Sequence, residues 1–191
     1  MFLIFEIYFW FAMCLINRKH LLCEIARKEG NLRLQESLHK AGPQIEKYLA
    51  VFRLPIYEIS QQARFLDVTQ GYDWCCAFVY WCCQQAGYEI PIKVTSNSRY
   101  TLAAVGNWIE YADNQKIWRD NKKIEYIPQA GDLVIFDKLL SENLLDHIGI
   151  VLSCDIEKKF IETAEGNINK ATGIFKRSIN EKISGYICLA I

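Results

Sequence analysis

Residues 73–87 have the sequence DWCCAFVYWCCQQAG and predict the helix on which the fold is built. From Cys75 to Ala86 the apolar side chains recur at i, i+3, i+4, i+7, i+8 and i+11, which is the spacing of one buried helix face. Gly87 then supplies a typical helix stop. We therefore expect a largely buried helix that begins at a cysteine.

A cysteine in this position is suited to chemistry. The positive end of a helix dipole stabilises a thiolate, which is the form of cysteine that attacks carbonyl carbons. Cys75 lies on the apolar stripe, whereas Cys76 is turned by about 100° around the helix axis. We predict that Cys75 faces a sheet as the nucleophile and that Cys76 is a packing residue. The backbone N–H of Cys75 is then the natural first donor to an oxyanion.

The rest of the chain divides into helices followed by strands. Apolar spacing predicts helices over residues 20–29, where Gly30 ends the pattern, over 43–52 and over 98–112. After Gly131 the pattern changes to short runs rich in β-branched residues, at 133–136, 148–152, 160–164, 173–175 and 183–190. This order predicts an α+β fold, with N-terminal helices packed on a C-terminal antiparallel β-sheet.

Residues of the predicted strands offer partners for Cys75. His147 immediately precedes a strand, and its imidazole can accept the thiol proton and later return it to a leaving group. Glu165 and Asn167 are two residues apart at the end of another extended run, so if the strand continues both project from one face and approach His147. Either Glu165 or Asn167 can then orient the imidazole. Asp146 is a competing partner, but we rank it below Glu165 because adjacent residues of a strand point to opposite faces.

Aromatic residues near the predicted site have two interpretations. Tyr100, Trp108 and Tyr111 recur in one predicted helix, and Trp74 directly precedes the nucleophile. Core packing accounts for many such residues, whereas ligand pockets are also enriched in aromatic side chains. We predict that Trp74 and Trp108 bind substrate as walls of a groove, with core packing as the alternative.

Composition argues against several classes of function. The 22 Lys and Arg residues balance 22 Asp and Glu residues, so no basic field attracts nucleic acid, and we predict no nucleic-acid partner. The eight cysteines contain no C-x-x-C spacing and accompany only three histidines, so we predict no metal. Thiol chemistry at Cys75 requires no cofactor, so we predict none. One or two disulfides stay open among the four cysteines outside the adjacent pairs, which are Cys14, Cys23, Cys154 and Cys188.

Residues 1–16 form a separate segment. They are apolar apart from Glu6, and the sequence turns polar at Asn17. A helix of this length spans about 24 Å, which is short of a hydrocarbon core of about 30 Å, and the segment lacks the pattern of a secretory signal. We therefore divide the chain into a hydrophobic segment, 1–17, and a single domain, 18–191. The segment is either a membrane anchor or the result of a mis-assigned start, with Met13 as the true one.

Four motifs occur in order along the domain. They are WCCAFVYW at 74–81 followed by Ala86-Gly87, GDLVIF at 131–136, HIGIV at 147–151 and EGN at 165–167. Together with EKYL at 46–49, they resemble the CHAP family of cysteine, histidine-dependent amidohydrolases and peptidases, over about residues 21–189.

The resemblance implies a papain-like fold that cleaves amide bonds in bacterial cell-wall peptidoglycan. The family's catalytic cysteine falls on Cys75, its histidine on His147, and its acidic and amide residues on Glu165 and Asn167. Peptidoglycan is then the partner, the cell envelope is the site of action, and a cognate inhibitor is expected if the chain is a delivered toxin. The bond that is cut stays open: it is either the N-acetylmuramoyl-L-alanine amide bond or a bond within the stem peptides or cross-bridges.

Two other functions stay open. One is a binding or scaffold module that keeps the CHAP fold without turnover. The other is a cytoplasmic thiol amidohydrolase that acts on a different amide. An unreactive Cys75 favours the first, and a reactive Cys75 without turnover of peptidoglycan favours the second.

Overall fold

The computed structural model describes residues 18–95, 98–123, 125–180 and 182–189. The predicted hydrophobic segment 1–17, which includes Met13 and Cys14, lies outside the described residues. Within the described ranges, no helix combines the length and the apolar character needed to cross a membrane. The seven cysteines in these ranges are all free thiols.

The helices lie mainly in the first half of the chain, as predicted. Residues 18–32 form α1, and the later helices are α2 (Glu46–Ser60), α3 (Cys75–Gln85) and α4 (Val105–Asn114), with a short 3₁₀ turn at Ala63–Phe65. The predicted central helix is confirmed as α3, which is buried along most of its length.

Helices α1 and α4 each differ from the prediction at one boundary, α1 because of a long-range contact and α4 because of local turns. Helix α1 continues past Gly30, because this glycine marks close packing rather than a stop: a Cβ there would lie 2.9 Å from Cγ1 of Ile174. Helix α4 starts at Val105 rather than near residue 98. The hydroxyls of Ser98 and Thr101 accept hydrogen bonds from backbone N–H groups two residues later, which favours turns over helix.

Helix α2 continues to Ser60 rather than ending at residue 52, and a buried arginine anchors its middle. The guanidinium of Arg53 binds the carboxylate of Glu46 through Nε and Nη2, at 2.6 and 2.7 Å. Its Nη1 also donates to three backbone carbonyls of the following loop, those of Phe65, Asp67 and Gln70. These bonds hold the loop that leads into α3 against α2.

The six strands form one antiparallel sheet, so the α+β prediction with an antiparallel sheet is confirmed. The spatial order is β1-β6-β2-β3-β4-β5. The strands are β1 (Trp118–Asp120), β2 (Leu133–Phe136), β3 (His147–Asp155), β4 (Phe160–Ile168), β5 (Ala171–Ser178) and β6 (Ile183–Ile187). The three-residue β1 was not predicted, because a run this short carries no readable alternation.

The two faces of the sheet have different partners. Ile148 and Ile150 of β3 belong to the main core, which also contains the buried side chains of α3. Gly166 of β4 faces the same helix, since a Cβ there would lie 2.5 Å from Cβ of Phe78. The opposite face carries a smaller apolar cluster of Val134, Phe136, Val151, Ile161, Ile183 and Tyr186.

A buried carboxylate joins α1 to the sheet. Asp132, which directly precedes β2, has no exposed surface and accepts a 2.7 Å ion-pair hydrogen bond from Nζ of Lys19. Its other oxygen accepts hydrogen bonds from the hydroxyl of Tyr126 and the backbone N–H of Gln129, both at 2.8 Å. The acidic residue of the GDLVIF motif therefore has a clear structural role.

Gly166→Ala is expected to destabilise the protein, because the added methyl group overlaps Phe78 and Trp74 of the packed helix start. Overpacking of this kind costs about 1–3 kcal/mol in the free energy of unfolding, measurable from the urea midpoint. Gly106→Ala is the matched control, because its nearest neighbour would be a leucine methyl at 3.8 Å and alanine favours helix. Equal midpoints for Gly166→Ala and the wild type would contradict the close approach of α3 to β4.

Candidate active site

Three of the predicted site residues meet where the N-terminus of α3 approaches the sheet. Cys75 is the first residue of α3, His147 is the first residue of β3, and Glu165 lies in the second half of β4. His147 and Glu165 have no exposed surface, and Cys75 is 6% exposed. Nε2 of His147 lies 3.0 Å from Oε2 of Glu165. Cys75 in turn interacts with His147, so a thiol, an imidazole and a carboxylate are neighbours.

The imidazole is held by packing as well as by charge. Neither ring nitrogen makes a well-aligned hydrogen bond with a described residue. The 3.0 Å approach of Nε2 to Glu165 is therefore a contact between charges, in which the N–H of the ring does not point at the carboxylate oxygen. Loose geometry of this kind is common in catalytic groups before substrate binds. The ring of Phe136 stacks on the imidazole with centroids 6.0 Å apart. The ring of His147 is thereby confined between neighbouring strands.

The surroundings favour the charged forms of both Cys75 and His147. Hydrogen-bonding contact with the Cys76 thiol and contact with His147 together outweigh burial and lower the pKa of the Cys75 thiol to about 5. Burial disfavours the charged imidazole, but contact with Cys75 and with Glu165 outweighs it and raises the pKa of His147 to about 9. Near neutral pH the two groups therefore form a thiolate–imidazolium pair.

The second thiol of the doublet has the opposite tendency. Cys76 is 1% exposed, and its burial, followed by contact with Cys75, raises its pKa well above the usual value. Cys76 therefore stays protonated and can donate to the neighbouring thiolate. Burial also raises the pKa of Cys82 and Cys83 on the same helix. Of the four thiols on α3, only Cys75 has a lowered pKa.

Two residues that the sequence analysis did not single out hold Glu165. Nε of Arg177 donates to Oε1 at 2.8 Å, and Nη2 donates to Oε2 at 2.7 Å. The hydroxyl of Thr163 donates to Oε1 as well. Burial opposes ionisation of Glu165, but the bonds from Arg177 and the contact with His147 lower its pKa to about 2. The sequence offers one signal for Arg177: it lies two residues after Phe175 and four after Gly173, so these three residues share one face of β5.

Gly149 makes room for this carboxylate. A Cβ at position 149 would lie 2.8 Å from Cγ of Glu165. The glycine of the HIGIV motif therefore lets the side chain of Glu165 cross β3 and reach His147. Because Gly166 faces α3, strand alternation places Glu165 on the opposite face of the sheet. Cys75 and His147 thus meet at the end of the sheet, where β3 begins.

Asn167 does not join Glu165 at the imidazole. A bulge lies between Glu165 and Ile168, and Asn167 has a left-handed backbone with φ of 64°. Its Nδ2 donates to Oδ1 of Asp73 at 3.3 Å. The expectation that both residues approach His147 from one strand face is therefore wrong, because the bulge interrupts the alternation on which it was based.

Asp146 serves the adjacent loop instead of the imidazole. Its carboxylate accepts hydrogen bonds from the backbone N–H groups of three residues, Leu139, Leu140 and Ser141, at 3.0, 2.7 and 2.8 Å. This placement agrees with ranking Asp146 below Glu165. The carboxylate fixes one wall of the groove described next.

A groove of about 720 Å³ leads to Cys75 and Cys76. One wall comes from the end of α2 and the segment before α3, a second from residues 99–107, and a third from residues 140–146. The walls are largely apolar, with side chains that include Ile56, Phe65, Tyr72, Tyr100, Leu140 and Leu144. Cys75 is among the residues that line the groove, so a substrate bound there can reach the thiol.

The predicted groove residues Trp74 and Trp108 do not line this groove. Both indoles have no exposed surface. Trp74 stacks on Tyr48 with centroids 5.8 Å apart, and Trp108 donates its ring N–H to the carbonyl of Leu102 at 2.7 Å. Core packing, the alternative interpretation, accounts for both. Tyr100, which is 66% exposed, is the aromatic residue of that region that borders the groove.

The arrangement can carry out nucleophilic acyl chemistry. A thiolate at a helix N-terminus, an imidazolium beside it and a buried carboxylate behind the ring supply the nucleophile, the acid–base group and the orienting group. Within the described ranges, no cluster of three or more potential metal ligands is present.

Iodoacetamide is expected to alkylate Cys75 faster than the other cysteines of the described ranges at pH 6. The rate should rise with an inflection near pH 5, as the lowered pKa of Cys75 requires. Peptide mass spectrometry locates the label, and Cys75→Ala serves as the control that leaves only slow background alkylation. An inflection at the ordinary thiol value of about 8.5 would show that Cys75 is not activated.

The comparison with family models agrees with this geometry. The CHAP domain model matches residues 67–167, which is just over half of the 191 residues. The match includes Cys75, His147, Glu165 and Asn167 and ends before Arg177. Neither a curated protein nor a solved structure was found to match the chain. The chain belongs to the CHAP family, whose members are amidases and peptidases that act on peptidoglycan.

Proposed function

We propose that the protein is a cysteine hydrolase that cleaves amide bonds of bacterial peptidoglycan, with Cys75 as the nucleophile. The observation that carries the proposal is the buried contact series from Cys75 through His147 to Glu165, in which Cys75 also lines the open groove. We further propose that residues 18–191 act as one catalytic domain of papain-like type, and that the site of action is the cell wall.

The first half of the reaction forms an acyl-enzyme. Sγ of Cys75 attacks the amide carbonyl carbon, a C–S bond forms, and the carbonyl oxygen takes the negative charge. The backbone N–H of Cys75, at the positive end of α3, is the first donor to this oxygen in the proposed reaction. As the intermediate collapses, the C–N bond breaks and the imidazolium of His147 gives its proton to the leaving amine.

The second half releases the product. His147, now neutral, takes a proton from water as the hydroxide attacks the thioester carbonyl carbon. The C–S bond then breaks, a carboxylic acid leaves, and the thiolate–imidazolium pair is restored. Glu165 stays ionised throughout, because its pKa is held near 2. Its role is to keep the ring oriented and to stabilise the imidazolium.

The two alternatives, a silent binding module and a hydrolase of another amide, predict different behaviour of the same purified protein. A silent module requires an unreactive Cys75, which is at odds with the lowered pKa of that thiol. An amidohydrolase for another amide keeps the thiol chemistry and lacks turnover of peptidoglycan. Product analysis together with the alkylation rate of Cys75 therefore separates all three functions.

Purified sacculi are expected to be solubilised by the wild type but not by Cys75→Ala or His147→Ala. Cys76→Ala should retain turnover, reduced through loss of the thiol that contacts Cys75. Release of soluble muropeptides is followed by chromatography, and their mass spectra identify the bond. Full activity of Cys75→Ala together with a dead Cys76→Ala would show that the wrong thiol has been assigned.

Glu165→Gln and Asn167→Ala are expected to have unequal effects. Glu165 contacts the imidazole, so Glu165→Gln should lower the turnover of sacculi by about 100-fold or more. Asn167 contacts Asp73 instead, so Asn167→Ala should have the smaller effect. Initial rates of muropeptide release measure both. A larger loss for Asn167→Ala would assign the orienting role to the amide.

A further inference from the structure

Glu165 is shared between two cations. Its carboxylate has no exposed surface, and Oε2 lies 3.0 Å from Nε2 of His147 and 2.7 Å from Nη2 of Arg177. Nε of Arg177 and the hydroxyl of Thr163 occupy the other oxygen. Every polar contact of Glu165 is thus made by a side chain whose own position is set by β3, β4 or β5.

The charges of this cluster balance only when Arg177 is included. A Cys75 thiolate and a His147 imidazolium cancel, which leaves the buried Glu165 carboxylate as one net negative charge. An unbalanced buried charge is costly, and proteins relieve the cost by neutralising a group. The Arg177 guanidinium is the fourth charge, and it restores the balance.

Arg177 is itself held in place. Its guanidinium carbon lies 4.7 Å from the ring centre of Phe175 and 5.8 Å from that of Phe136. Phe136 is also the ring that stacks on His147. One aromatic side chain therefore contacts both cations, and the side chain of Arg177 is only 20% exposed.

We propose that Arg177 is a positioning residue of the active site, which fixes the Glu165 carboxylate against His147 and supplies the charge that lets the thiolate and the imidazolium exist together in buried surroundings. The inference rests on the proposed roles of Cys75 and His147. Arg177 lies beyond the residues matched by the family model, so the match assigns it no role.

The titratable groups that face the cluster come from α3, from the segment before it and from three strands. Helix α3 contributes the two adjacent thiols, and the preceding segment contributes Asp73, which acts on the second thiol. The strands contribute the imidazole, the carboxylate and the guanidinium, as already described. Glu162 and Lys176, which flank the cluster on β4 and β5, point to the other face of the sheet, where Glu162 binds Arg27 at 2.7 Å. This second Arg–Glu pair is partly exposed and serves as a matched control.

Removal of the guanidinium raises the pH at which Cys75 ionises. If Glu165 stays ionised without Arg177, the net negative charge opposes a second anion at Cys75. If Glu165 instead takes up a proton, the imidazolium of His147 loses the carboxylate that stabilises it. The Cys75 thiolate then loses the positive charge of the imidazolium. Both routes move ionisation of Cys75 in the same direction.

The test is the rate at which iodoacetamide alkylates Cys75 in Arg177→Gln, Arg177→Lys and Arg27→Gln, measured from about pH 4 to about pH 9. We expect Arg177→Gln to move the inflection upward by about one pH unit, which is about a tenfold slower reaction at low pH. Arg177→Lys restores the charge without the planar fork and should lie between Arg177→Gln and the wild type. Arg27→Gln should match the wild type.

An unchanged inflection in folded Arg177→Gln would overturn the proposal, and so would an equal shift in Arg27→Gln. Should Arg177→Gln fail to fold, Arg177→Lys decides: an upward shift supports the role of the fork, and the wild-type inflection contradicts it. Alkylation reports the state of Cys75 without peptidoglycan. A failure of sacculus turnover in the wild type therefore counts against the proposed function and leaves this measurement intact.

Discussion

The close contact between α3 and β4 at Gly166 determines where the reactive groups can meet. Phe78 and Trp74 occupy the space that a side chain at position 166 would fill, so the start of the helix lies directly on the strand. That contact brings Cys75 to the end of the sheet where β3 begins. On the other face of the same strand, Glu165 passes over Gly149 toward His147. Two glycines on neighbouring strands thus allow a helix and a carboxylate to approach the imidazole from different sides.

Electrostatic balance is the second condition for the site. Glu165 and His147 are withdrawn from solvent, where an ionised group is costly unless a group of opposite charge lies beside it. The alternation of sign from Cys75 to Arg177 meets this condition. The two thiols of the doublet differ for a related reason: contact with the Cys76 thiol and with His147 lowers the pKa of Cys75, whereas burial raises that of Cys76.

Much of the fold and part of the site could be predicted from the sequence. The 3.6-residue spacing after Cys75 predicted α3, and the β-branched runs predicted five of the six strands. Local pattern cannot show what depends on long-range contacts. Gly30 looked like a helix stop because its contact with Ile174 on β5 is invisible in the chain. The alternation places Asn167 beside Glu165 because a bulge leaves no mark in the sequence pattern. The role of Arg177 is not readable because its partner, Glu165, lies on the neighbouring strand.

The groove walls and the charged cluster come from different kinds of structure. The walls at residues 99–104 and 140–146 are connecting segments, the second of them held by Asp146, whereas His147, Glu165 and Arg177 lie on hydrogen-bonded strands. Loops tolerate replacement and insertion far better than the interior of a sheet. Substrate preference can therefore diverge among descendants of this chain by exchange of wall residues, while the reaction itself is inherited unchanged.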